Sequence, residues 1–569
     1  MQFKETLVRL LLIFCPILTA AQTTYLPQGD KQNILLERME IKAGKDSVFN
    51  FSKTKPFSRD QFMPKLMETW YKDDSTLSKV DRFNLRSVML NNQEYVIGAG
   101  HDITPFRSKK PILKAFYKTP ANLYEVHVKD FDLIINPVFQ YTVSKEKDND
   151  QHLFQNTRGV ILRGRIANKI GFAAYVTDNQ ERPPSYVQQW TEERLAVPGN
   201  GFYKSFKDPG GVDYFDARGY FTFGVTKYID VAFGYDKNFI GNGYRSLFLS
   251  EFSSNTLFLK LNTRIWKFNY QNLFMELTPA EIPGGDQLLP KKYAAMHHLD
   301  ISVTKWLNVG LFEGVMFGRK DHFEFGYLNP IIFYRSIEQQ NGSFDNSIVG
   351  LDLKANVAKK FQFYSQLMID EFKLSEVKDN KGWWGNKWGF QLGAKYIDAF
   401  GIKNLDLQVE HNRVRPFSYS HRDSVANYTH YNQPSAHPLM ANFQEFIGVV
   451  RYQPAPKWLA VGKLIYYQQG RDSVPVGSPN FSSYGSNIFL PNTPPYRTED
   501  YGFDIGSGWK TNVFYASFLL SYELRENMFL ELNAVYRKQE TKTVPITSVN
   551  TSVITFGLRW NMHRREFDF

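Results

Sequence analysis

A chain of 569 residues exceeds one ordinary soluble domain. It carries 48 Phe and 32 Tyr at a mean hydropathy of −0.40. So many rings in so polar a chain argue against an ordinary soluble core and for a barrel with an apolar outer face, aromatic girdles and a polar lumen. The net charge of +11 fits anionic lipid or polysaccharide as well as nucleic acid. Nucleic acid is set aside because the chain reads as exported and holds no folded basic module.

Residues 1–21 read as a signal peptide: Lys4 and Arg9, the short apolar run Leu10–Leu18, then Thr19-Ala20-Ala21 before a mature start at Gln22. Removing it takes away Lys4, Arg9 and Glu5, which lowers the net charge from +11 to +10. The only cysteine, Cys15, lies within this segment. Bulky Phe14 before it rules out a lipoprotein signal, and the mature chain is expected to fold without a disulfide.

No later stretch is apolar for the 18 residues that a transmembrane helix requires. Instead, segments of about ten residues alternate with period two, the mark of transmembrane strands. The spacing predicts an all-β fold, a transmembrane antiparallel barrel of about 18 strands. They fall near 131–143, 157–167, 170–178, 216–225, 229–236, 256–263, 267–277, 296–304, 307–317, 347–355, 361–372, 387–397, 404–413, 443–453, 458–469, 512–523, 528–538 and 552–562. Phe221/Phe223/Val225, Leu405/Leu407/Val409, Met528/Leu530/Leu532 and Ile554/Phe556/Leu558/Trp560 are read as lipid-facing. Asp406, Glu410, Glu531 and Arg537 are read as lumenal, because charge against hydrocarbon costs a few kcal/mol. Tight turns (Asn168-Lys169, Thr226–Tyr228, Val357–Lys359, Leu524–Asn527) alternate with long polar connections (179–215, 278–295, 319–346, 414–442, 470–511), which places the former in the periplasm and the latter outside the cell.

The domain reading is a signal peptide at 1–21, an N-terminal periplasmic or plug region at 22–130 and a barrel at 131–569. Phe62, Leu66 and Trp70 share helical spacing, so the plug is expected to be partly helical. Aromatic Phe569 is read as a barrel-assembly signal, with Glu566-Phe567-Asp568-Phe569 as a short tail.

The run Thr157–Ile166, continuing through Gly171-Phe172 to Asp178–Pro184, and the run Phe239-Ile240-Gly241-Asn242-Gly243-Tyr244-Arg245-Ser246-Leu247-Phe248-Leu249-Ser250 resemble the Wzi-type capsule-assembly barrels. Ala115–Leu123 resembles a Bacteroidota branch of that family linked to gliding motility. The resemblance implies 18 strands, a helical N-terminal region and organisation of surface polysaccharide rather than catalysis. Its expected partners are outer-membrane lipid, surface polysaccharide and other outer-membrane or periplasmic proteins. The alternatives are a porin or channel and a scaffold subunit of an outer-membrane complex.

No constellation supports an enzyme. Gly241-Asn242-Gly243 lacks the strand–helix context of a dinucleotide loop and reads as a tight loop at the rim. His411, His421, His430 and His437 match no metal spacing, and neither a metal nor a cofactor is expected. Asp406 and Glu410 share one strand face, whereas a glycosidase pair flanks a sugar from two sides. The candidate ligand-binding residues are Arg163, Arg165, Arg218, Tyr244, Arg245, Trp383 and Trp384. Arginine forks bind carboxylates, and tryptophan faces stack on sugars. The inward arginines (with Arg559) have a second reading, as an internal network with Asp230, Asp236 or Asp352, and Trp388 reads as an interfacial girdle residue.

Overall fold

The computed structural model describes residues 23–569 except 47, 73–76, 168, 282–287, 321, 332, 343, 473, 475, 479–480 and 544. The signal-peptide segment 1–21 and Asn168 lie outside the described residues. Eighteen antiparallel strands close into one barrel. In chain order they are β1 (Phe131–Glu146), β2 (Leu153–Ile166), β3 (Ile170–Arg182), β4 (Val212–Thr226), β5 (Ile229–Asp236), β6 (Thr256–Ile265), β7 (Phe268–Leu277), β8 (Lys292–Thr304) and β9 (Leu307–Phe317). The second half comprises β10 (Asn346–Val357), β11 (Phe361–Glu371), β12 (Lys387–Tyr396), β13 (Leu405–Val414), β14 (Phe443–Ala455), β15 (Trp458–Arg471), β16 (Trp509–Arg525), β17 (Met528–Thr541) and β18 (Thr547–Trp560). β18 pairs with β1, Trp560 against Phe139, and this pairing closes the ring.

Period-two alternation puts one side of each strand on the outside. Val409, Phe556, Ile554 and Leu392 are exposed, while Asp406, Glu410, Arg537 and Arg559 are buried inside. A protein in water does not present such a belt; lipid covers it, and the chain is an outer-membrane barrel. Adjacent residues test the register. Val409→Arg sets a charge against hydrocarbon and is expected to cost about 2–4 kcal/mol, whereas Gln408→Arg enters a lumenal cavity and should be tolerated far better. Heat-modified gel mobility of the two variants measures this, and equal loss would mean a strand slipped by one residue.

Between the turns, Ala358 and Lys359 both take positive φ, the two-residue geometry that matches strand twist. The connections at the other end do not all stand in water. Residues 415–442 fold into the lumen, where Tyr428, Thr429, Ala436 and His437 are buried. Connection 319–346 does the reverse: its Tyr327, Tyr334, Phe323 and Ile337 pack against the outer face of β7–β9.

The N-terminal region fills the opposite end with four helices: α1 (Lys31–Ala43), α2 (Arg59–Tyr71), α3 (Lys79–Asn91) and α4 (Gln93–Gly98). Asp30 caps α1 by accepting from the Gln32 N–H, and Gly44 ends it at φ 65°. Ser78 and Asp81 form a reciprocal capping box on α3. Phe62 and Leu66 on α2 turn inward with Leu36, Leu85 and Val88 to make a separate small core. The helices are bound to the wall by buried charge. Lys354 of β10 donates to Glu40 at 2.6 Å, Arg38 reaches Asp398 at 2.8 Å and also Asp406, and Lys31 reaches Glu523 and Glu526 at 2.5 and 2.6 Å.

Candidate functional site

Segment 237–255, after β5, turns down into the lumen and meets the N-terminal region. Phe239–Ile240 pairs with Thr54–Lys55 as a two-residue ribbon. The Tyr244 and Arg245 N–H groups donate to Glu410 of β13 at 2.6 and 3.0 Å. A Cβ on Gly243 would lie within 2.7 Å of Gln391 and Glu410, so the backbone approaches the wall only because that residue is glycine. The Gly241-Asn242-Gly243 loop is thus neither a dinucleotide loop nor a rim loop; it is a contact inside the barrel.

Residues 561–569 also run into the lumen. Arg564 pairs with Glu531 at 2.7 Å and Arg565 with Glu181 at 3.2 Å. Asp568 accepts from Arg245 at 3.0 Å, and Lys463 of β15 binds Asp568 at 2.5 Å together with Glu566 and Tyr244. Phe569 sits among Trp190, Phe252 and Tyr186, with centroids 5.4, 5.5 and 6.4 Å away. The short tail thus lies inside the barrel, where its residues link β3, β15, β17 and the inward segment. Between them and the helices lies a cavity of about 520 Å³ lined by Lys55, Arg59, Arg218, Lys237, Tyr244 and His563, among others.

Each inward arginine named from sequence has a carboxylate. Arg163 bonds Glu94 of α4 at 2.9 Å, Arg165 bonds Asp132 at 2.6 Å, Arg218 bonds Asp216 at 2.5 Å, and Arg559 bonds Glu531 at 2.8 Å. Of the expected partners, Asp236 stands 3.9 Å from Arg218, whereas Asp352 takes Lys53 and His298. Arg163 and Arg165 lie at the plug end of β2, far along the chain from the extracellular connections. Burial alone would push the Glu94 carboxyl up, but Arg163, by charge and hydrogen bond, brings it down to about 2. A carboxyl lowered from 4.5 in the unfolded chain contributes stability above that value, which is lost as pH falls toward 2. E94Q should therefore flatten the drop in thermal stability between pH 5 and pH 2.5, as read by melting curves.

Among the described residues no group of three candidate metal ligands comes together. His430 accepts the Thr278 N–H at Nδ1 (3.0 Å) and faces the Asn255 carbonyl with Nε2 (2.9 Å), so both ring nitrogens are used. Burial lowers its pKa to about 4, which keeps it neutral. His437 bonds Glu445 at 2.8 Å.

Trp383 and Trp384 lie in the 372–386 connection at the extracellular end, half-buried. The Arg497 guanidinium stacks 4.1 Å from the Trp384 centroid, with Lys387 at 5.1 Å. Trp383 rests on Gly385 and has Lys373 at 5.4 Å. Trp384 N–H bonds the Asp500 carbonyl at 3.0 Å, and Arg415 donates to the Trp383 carbonyl at 3.3 Å, which fixes the pair across three connections. Of the seven residues named from sequence, this pair alone stands at the outer mouth with cations around it. Sequence reasoning missed Lys373, Arg415 and Arg497, because their proximity is tertiary.

The fold and its contents define a closed 18-stranded outer-membrane barrel occupied by its own helices and loops. No family model matches the sequence, and no curated protein matches it. Among solved structures the chain is similar to Wzi, an outer-membrane protein involved in group 1 capsule assembly in Escherichia coli and described as a carbohydrate-binding β-barrel. The identity is 13% and the TM-score 0.56, covering 96% of this chain and 100% of that one. The outer membrane protein OprD from Pseudomonas aeruginosa (11% identity, TM-score 0.41, 80% and 97% covered) and OccAB2 from Acinetobacter baumannii (10%, 0.42, 75% and 98%) are also similar.

Proposed function

We propose that this barrel binds and organises surface polysaccharide at its extracellular face, without catalysis and without acting as a diffusion channel. The observation that carries the reading is the occupied lumen: helices, segment 237–255, residues 415–442 and residues 561–569 fill the path a solute would take. The likeness to a carbohydrate-binding barrel along both whole chains supports the same reading. Adhesion or gliding motility would draw on the same held glycan.

The ligand contacts fall on Trp383 and Trp384, whose apolar faces suit sugar rings, with exposed Lys373 for acidic groups, while buried Arg497, paired with Asp500, holds the Trp384 ring in place. Arg163, Arg165 and Arg218 act instead as supports of the plug and wall, and Tyr244 and Arg245 hold segment 561–569. Purified barrel should bind the cell's own surface polysaccharide. Trp383→Ala with Trp384→Ala should weaken binding about fivefold per ring, at about 1 kcal/mol each, at every salt concentration. Added salt should weaken only the part due to exposed cations. Unchanged binding in the double variant would contradict the assignment.

A further inference from the structure

On the lipid-facing side of the wall, one register row carries three polar groups. Asn272 of β7 pairs with His297 of β8, which pairs with Glu313 of β9. Their strand neighbours on the same side are Phe274, Ala295 and Val315, so the row belongs to the outer face. Glu313 is seven residues along β9 from exposed Trp306 at the periplasmic turn. That is about 23 Å of strand and, at a tilt of about 40°, about 18 Å of height, inside an apolar band about 25 Å tall. A carboxylate there would meet hydrocarbon.

It does not, because connection 319–345 covers it. Glu313 accepts the N–H groups of Tyr334 and Arg335, at 3.0 and 3.1 Å, at the start of helix Tyr334–Gln340. The Tyr334 ring lies 3.9 Å from His297, and the Pro330 carbonyl accepts from Tyr270 of β7 at 2.5 Å. Tyr327 and Tyr334 are fully buried with Phe274, Tyr293, Val315 and Phe317. Arg319 and Tyr327 both bind Asp345 at 2.6 Å and tie the two ends of the connection together. Three large apolar residues of the connection are bare, Phe325 at 80% exposed, Ile331 at 85% and Phe333 at 76%, with the exposed polar residues Arg335, Gln339 and Gln340 following them in the helix.

We propose that the described residues of 319–345 form a membrane-embedded flap: its inner side satisfies a polar row on the barrel wall, and its outer side is covered by outer-leaflet acyl chains. The occupant follows from continuity. Leu311, Val349 and Leu351 beside the flap are lipid-facing wall residues, and Phe325, Ile331 and Phe333 extend that surface over a site where bare strand would be polar. Irregular backbone survives at membrane depth only when its polar groups are satisfied by protein, and the contacts to Tyr270 and Glu313 do this for the Pro330 carbonyl and the Tyr334 and Arg335 N–H groups.

Single cysteines test the flap, since the sequence has no cysteine beyond Cys15. Ile331→Cys and Phe333→Cys would each carry a polarity-sensitive fluorophore, in phosphatidylcholine vesicles with a nitroxide on the acyl chain. Leu311→Cys on the wall and Lys381→Cys in an extracellular connection serve as controls. Both flap labels should lose most of their fluorescence to the lipid nitroxide, as at Leu311, and should resist aqueous iodide. Quenching by iodide, as at Lys381, would place the flap in water and overturn the proposal. Quenching by neither agent, with dimers on disulfide formation at Phe333→Cys, would assign the surface to a second copy and also overturn it.

Discussion

Replacing Lys463 with methionine is expected to destabilise the barrel by about 3 kcal/mol, because it takes one of two cations from buried Asp568. The Lys463 ammonium joins Glu566, Asp568 and Tyr244 in a space where Lys463 and Asp568 are nearly inaccessible. Arg245 holds the other Asp568 oxygen at 3.0 Å, so K463M leaves that residue half-satisfied and Glu566 with the Tyr244 hydroxyl at 3.2 Å. Burial opposes ionisation of Asp568, but Arg245 and Lys463 together hold its carboxyl below the usual range. The contact is thus fully present above about pH 4 and fades only as the pH falls further. Removing the charges as a set should restore much of the loss: K463M with E566Q and D568N leaves neutral groups that cost less to bury. The midpoint of the heat-modified mobility shift reports both variants. Equal midpoints for wild type and K463M would mean that residues 561–569 do not occupy the lumen.

Steady ion conductance should be absent when the purified protein is placed in planar bilayers, and broken contacts between plug and wall should produce openings. The helices, segment 237–255, residues 415–442 and residues 561–569 close the lumen, and the helices are fixed by pairs that salt does not reach, among them Glu40–Lys354 and Glu94–Arg163. Each broken buried pair costs about 3–5 kcal/mol, so E40Q with E94Q removes a large share of the plug's attachment without touching the lipid-facing strands. Intermittent openings in the double variant and none in wild type are the expected record. Large stable pores in wild type would move the channel reading to first place.

The barrel was legible in the sequence because its signal is local. Each strand's face is written in residues two apart, and all eighteen predicted segments coincide with strands of the closed ring. The helix through Phe62 and Leu66 was legible for the same reason, whereas α1 and α3 carry charged residues on buried faces, Arg38, Glu40 and Asp81, that hide their periodicity. The site was less legible because its chemistry is decided by partners distant in sequence. Arg163 finds Glu94 69 residues away, and Tyr244 and Arg245 find Asp568 more than 320 residues away. A sequence reading sees an inward arginine but not whether it is already neutralised. Connection 319–346 was read as extracellular on length and polarity alone. The signal that marks its packing on the outer wall is the alternation itself, which sets Asn272, His297 and Glu313 on the lipid side, where bare strands carry apolar residues.

Whether the barrel holds polysaccharide at the cell surface is measured most directly by the amount of cell-bound surface glycan in a strain lacking this protein. Staining of intact cells should fall sharply while the same polysaccharide accumulates in the medium. Restoring wild type should reverse this, and restoring the Trp383→Ala/Trp384→Ala variant should reverse it only in part. An unchanged surface layer, with no polysaccharide shed, would contradict the account and leave a scaffold role in an outer-membrane complex as the better explanation.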